Sequence, residues 1–146
     1  SSKGYKQEGR KKSDELEISL REASQNGKYP ILCDMSPCSK TIEQNFPTDL
    51  KVYDTVEFIT EFLAKKLKFK QLDDPIVIHT TCSTRKSGLA EKFERVARMC
   101  SSNVTIPKSV SCCGFAGDRG FTYPELNKSA LRHLKEEILK DVKYAF

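Results

Sequence analysis

The chain has 146 residues, 38% of them hydrophobic and 31% charged, with a formal net charge of +5. That length suits one domain with a core of its own rather than two of full size, and the composition is too apolar for a wholly disordered chain. No stretch approaches the roughly 20 consecutive apolar residues that span a bilayer.

The opening Ser-Ser-Lys-Gly-Tyr has neither an initiator Met nor the apolar core of a signal peptide, so we expect a cut from a longer chain. Lys3, Lys6, Arg10, Lys11 and Lys12 form the densest basic run. Charge runs of this kind are ordinarily a solvated helix start or a frayed end. A nucleic-acid surface would interleave aromatics, and no nucleic-acid partner is expected. Leu16, Leu20 and Ala23 share a face and predict a helix over 13–24, with Gln25-Asn26-Gly27 as its stop. Residues 29–33 read as a short buried strand, and 51–53 as a second.

Asp54 and Glu57 are spaced as a capping pair for a helix carrying Val56, Ile59, Phe62, Leu63 and Leu67. Residues 75–80 are the clearest strand, apolar at consecutive positions, as burial on both faces of a parallel sheet requires. A helix over 87–100 follows, with Leu89, Phe93, Val96 and Cys100 in its stripe. Residues 104–106 and 109–111 give strand signals around Pro107. The last helix is expected to begin near Pro124, with Leu126, Ala130, Leu134 and Ile138 facing inward and Leu131, Leu139 and Val142 widening the stripe. Alternating helices and buried strands predict an α/β fold, a mainly parallel sheet flanked by helices, in one cysteine-rich domain over 1–146.

Six cysteines fall at positions 33, 38, 82, 100, 112 and 113. Nothing indicates secretion, and adjacent Cys112 and Cys113 suit a disulfide framework poorly, so a reducing compartment is expected. Cys100 sits in a helical stripe, where a small thiol packs well. Cys33 ends a predicted strand and Cys38 lies in the loop after it, Cys82, Cys112 and Cys113 each follow a predicted strand, and ligand crevices of parallel sheets lie beyond the carboxyl ends of strands. Cys33, Cys38, Cys82, Cys112 and Cys113 are therefore expected at one sheet edge. Thiolates without carboxylates favour zinc or an iron–sulfur cluster. The spacing is not that of a zinc finger, and a thiol–disulfide centre or plain structural cysteines remain open.

His79 stands three residues before Cys82; a hydrogen-bonded structural histidine is the commoner role, metal ligation the other. Residues 114–120 place Gly114, Gly117 and Gly120 just before the last helix, with Arg119 beside Asp118. Gly117 and Arg119 are candidate anion-binding residues, although the loop matches neither a Walker loop nor the dinucleotide fingerprint.

Residues 111–121 (Ser-Cys-Cys-Gly-Phe-Ala-Gly-Asp-Arg-Gly-Phe), with His79-Thr-Thr-Cys82 and Cys33-Asp-Met-Ser-Pro-Cys38, resemble the C-terminal cysteine-rich (CCG) domain of FAD-linked D-lactate dehydrogenases. Related domains occur in the iron–sulfur subunit of glycolate oxidase and in one subunit of heterodisulfide reductase. In that family the cysteine motif occurs twice. Cys33 and Cys38 correspond to the tail of one copy, and Cys82, Cys112 and Cys113 to the head of the next. The resemblance implies parts of two iron–sulfur sites of the [4Fe–4S] type, to which these five residues contribute, and FAD in the parent protein, outside this stretch. It further implies FAD and ferredoxin-like domains in the same parent chain, and a quinone or cytochrome as electron acceptor. The location implied is cytoplasmic, or peripheral at the cytoplasmic membrane. The stretch alone is expected to be inactive and to lack the cluster, because the remaining ligands of both sites lie beyond it.

Overall fold

The computed structural model describes residues 4–34, 36–47, 49–138 and 141–145; Lys3 and Leu139 lie outside them. The chain is α/β and divides into two compact units, Ser1–Phe58 and Ile59–Phe146.

In the first unit, helix α1 (Lys6–Ala23) begins earlier than its apolar spacing predicts and takes most of the basic run into a solvated helix. Leu16 and Ala23 are exposed and Leu20 half-buried, so the expected stripe is not covered within this unit. The stop is where the sequence puts it. Gln25, Asn26 and Gly27 all have positive φ, a backbone that only glycine and short polar side chains adopt readily. Arg21 spans from α1 to Asp49 through two charge-assisted hydrogen bonds, of 2.6 and 3.1 Å. Those bonds hold the Asp49 carboxyl below its ordinary range. Strands β1 (Ile31–Cys33) and β2 (Val52–Asp54) pair in parallel. Helix α2 (Ser36–Asn45) makes the crossover that a parallel pair requires. The capping pair forms as spaced: Asp54 Oδ1 accepts from Val56 N–H at 3.2 Å, and Glu57 Oε2 accepts from Asp54 N–H at 3.5 Å. They start the short helix α3 (Thr55–Phe58).

The second unit opens on a π-helical turn, Ile59–Leu63, where Ala64 N–H reaches back to Ile59 O at 2.7 Å. Its sheet is parallel throughout, in the order β4 (Val104–Thr105), β3 (Ile76–Val77), β5 (Tyr144–Ala145). Central β3 is paired on both sides, which accounts for its unbroken apolar run. Ile76, Val77 and Ile78 are all buried. Ile76, Ile78 and Ala97 form the core, with Phe93, Val104 and Ile106 packed around it.

Three expectations need correcting here. The helix expected over 87–100 forms as α5 (Ala90–Cys100), three residues later, and a short helix that the sequence reading did not expect, α4 (Cys82–Lys86), precedes it, with Gly88 (φ +70°) between them. Residues 109–111 form no strand, although Val110 is 1% exposed. The last helix starts at Pro124 as expected but is broken by a turn at 131–133. It follows short α6 (Arg119–Thr122) as α7 (Pro124–Ala130) and α8 (Leu134–Glu137). Leu126 is exposed, while Ala130, Leu131, Leu134, Ile138 and Val142 are only half-buried, so the stripe expected to face inward is not a fully covered one. No helix among the described residues is long and apolar enough to cross a membrane.

Candidate functional site

None of the six cysteines is in a disulfide; Cys38, Cys82 and Cys112 are exposed, and Cys33, Cys100 and Cys113 half-buried. In the first unit Cys33 is the last residue of β1, and Cys38 lies early in the helix that follows. Cys33 is thus at, and Cys38 beyond, the carboxyl end of β1, in a sheet separate from that of the second unit, so the five cysteines do not gather at the edge of one sheet as expected. In the second unit Cys82 is the first residue of α4, beyond the carboxyl end of β3. Cys112 and Cys113 follow the buried Val110. Cys100 ends α5, and its carbonyl accepts from Leu72 N–H at 2.7 Å.

The short helix carrying Cys82 is built by hydroxyls. Thr81 Oγ1 caps it, accepting from Thr84 N–H at 3.3 Å, and also bonds the hydroxyls of Ser83 and Thr84 at 2.9 Å each. Thr80 is buried, and its hydroxyl accepts from Arg85 Nε at 3.0 Å. Both threonines are thus engaged in local structure. Arg85 reaches further, with Nη2 donating to Val110 O at 3.2 Å.

The loop after Cys112 and Cys113 is shaped by Gly114. Its φ is +76°, and a Cβ there would lie 2.5 Å from Leu126 O, so only glycine lets this loop touch the α7 backbone. Asn127 Nδ2 donates to Cys113 O at 2.8 Å, and Gly114 N–H points at Cys112 Sγ at 3.3 Å. Ala116 (φ 45°) and Gly117 (φ 82°) continue the left-handed path toward α6. The Phe115 and Phe121 rings meet edge to face at 4.9 Å between centroids. Gly117 and Arg119 are both exposed, the latter beginning the four-residue α6. Glu137 anchors the segment ahead of the cysteines, accepting from Lys108 N–H at 2.6 Å, Ser109 N–H at 2.9 Å and the Ser109 hydroxyl. These donors hold its carboxyl below the ordinary range.

His79 is not the hydrogen-bonded structural histidine expected as the commoner case. Both ring nitrogens are buried with no hydrogen-bond partner among the described residues. Burial, helped by the Arg85 charge, pushes its pKa down and favours the neutral ring.

The donor chemistry suits a soft or borderline metal: accessible thiols, with a backbone N–H already directed at one sulfur. The count does not complete a site, since no three His, Cys, Asp or Glu side chains among the described residues are placed to hold one ion. Sequence reasoning missed Arg85 and Asn127. An arginine three residues after Cys82 was the available signal for the first; the second depends on a contact 14 residues away.

The chain is 25% identical over 93 residues to lactate utilization protein A 1 of Bacillus mycoides (strain KBAB4), covering 62% of this chain and 38% of that protein. It is 28% identical over 130 residues to one subunit of the anaerobic glycerol-3-phosphate dehydrogenase of Escherichia coli (strain K12), covering 81% and 33% respectively. The chain therefore spans only 33–38% of the length of these curated relatives. No family model matches it, and no solved structure gives a significant match.

Proposed function

We propose that this stretch is a cysteine-rich electron-transfer domain of a larger oxidoreductase, with thiolates that contribute ligands to an iron–sulfur cluster. The observation that carries the reading is the Cys112-Cys113-Gly114 loop. Its glycine packs on α7, its asparagine tie holds Cys113, and its own N–H is directed at Cys112 sulfur. N–H donors to sulfur are one means by which proteins set cluster potentials. The relatives named for lactate utilization and for a glycerol-3-phosphate dehydrogenase support an oxidoreductase context.

In this reading Cys82, Cys112 and Cys113 belong to one [4Fe–4S] site and Cys33 and Cys38 to another, each completed by ligands from outside the stretch. A bound cluster supplies one-electron transfer. The chain's own residues hold the thiolates near the surface, orient Cys113 through Asn127 and direct an N–H toward Cys112. The parent is an FAD-linked dehydrogenase of a small 2-hydroxy acid such as D-lactate, with FAD and ferredoxin-like domains upstream in the electron path. A quinone or cytochrome is the acceptor, and the location is cytoplasmic or peripheral at the cytoplasmic membrane.

The test is the visible spectrum, iron and acid-labile sulfide of the full-length parent prepared without air. Brown protein with iron and sulfide in similar amounts is expected. Colourless protein holding stoichiometric zinc would replace this reading with a structural or thiol-redox module.

A further inference from the structure

Ile78 N–H makes a last bond to Thr105 O at 2.9 Å, and beyond it the two chain segments run on toward Cys82 and toward Cys112-Cys113 with no strand partner among the described residues. Backbone carbonyls left there need donors from elsewhere. One side chain serves both segments. Arg85 Nε donates to Thr80 O at 3.3 Å and Thr80 Oγ1 at 3.0 Å, and Arg85 Nη2 donates to Val110 O at 3.2 Å. The two anchors are equivalent in sequence: Thr80 stands two residues before Cys82, and Val110 two residues before Cys112. Both anchor residues are buried, at 4% and 1% exposure, so the bonds attach to fixed points.

We propose that Arg85 is a positioning residue that fixes the separation of Cys82 from the Cys112-Cys113 pair, and so the spacing of the thiolates around the group they hold. The role in ligation rests on the function proposed above; the bridge between the two segments does not. The planar guanidinium explains the residue type, because donors on one rigid edge reach two acceptors at once, and a lysine ammonium has no such fork. Arg85 reaches Val110 from α4, which begins with Cys82 itself, so displacement of either loop is transmitted to the other.

The experiment compares Arg85→Lys and Arg85→Gln with wild type in the full-length protein, by two readouts. The first is amide hydrogen exchange without metal. Both variants are expected to speed exchange about tenfold at residues 111–114 as well as at 81–84, since each loses a charge-assisted bridge. Acceleration confined to 81–84 would overturn the proposal. The second readout is the reduction potential and electron paramagnetic resonance signal of the iron-loaded protein. Both should shift in both variants. A wild-type signal and potential in Arg85→Lys would show that charge alone matters and would also overturn the positioning role. If wild-type protein takes up no iron, the cluster reading fails, and the exchange result still decides the bridge.

Discussion

Gly114 meets α7 at a separation where a methyl group has no room, and its φ is left-handed as well. Gly114→Ala should therefore cost about 2–4 kcal/mol in urea unfolding, from contact with the Leu126 backbone and from the unfavourable φ. Ala116 is the internal control. It already bears a left-handed φ of 45° with a side chain, so Ala116→Gly should be neutral or stabilising by up to about 1 kcal/mol. Thiol roles separate at this scale too. In the full-length parent, Cys113→Ser is expected to lower iron content and Cys100→Ala to leave it unchanged, because Cys100 ends α5 outside the strand-end loops. Equal iron loss in both would end that division of roles. The tight turn at Gly114 was legible in the sequence because turn chemistry is local, whereas its close approach to Leu126 was not. Arg85 was not, because its significance lies in Val110, 25 residues away.

Two of the short helices, α3 and α4, are started by side-chain caps. Thr81 caps α4 and so sets the direction in which Cys82 leaves β3. Thr81→Ala should cost about 1 kcal/mol by urea titration, the usual loss for a hydroxyl cap. The cap made by Asp54 and Glu57 was readable beforehand, since it needs only a three-residue spacing and neighbouring backbone. The final helix was read as continuous because its apolar repeat runs through 131–133 with no Gly or Pro to mark the turn. The half-buried Leu134 lowers the expected cost of Leu134→Ala to about 1–2 kcal/mol, below the 2–5 typical of full burial. A measured loss above about 3 kcal/mol would mean that α8 packs more deeply than this. Strand β3 was legible because burial on both faces leaves an unmistakable apolar run. Strand β5 was not: it has two exposed residues, and its parallel pairing with β3 is a tertiary choice.

At the scale of the whole molecule, two parallel sheets serve two units, and acid acts on each through different groups. Burial depresses the His79 pKa in the folded state, so its neutral form contributes fully above the unfolded value of about 6.5. That contribution is lost as pH falls through the folded value. The depressed carboxyls of Asp49 and Glu137 act lower, their contribution being lost as pH falls from about 4 through their folded values. Urea midpoints measured at pH 7 and pH 5 should fall less in His79→Gln than in wild type. An identical slope would show that His79 does not titrate in this way. The sheet of the second unit also bears on how the protein fails in storage. Its outer strands, β4 and β5, are two residues long, and so brief an edge offers little backbone for another molecule to zip onto. Cys38, Cys82 and Cys112 by contrast stand open to solvent. Turbidity that develops in air should therefore consist of covalent sulfur-linked multimers, visible as ladders on a non-reducing gel and dispersed by dithiothreitol, rather than of fibrils that bind thioflavin.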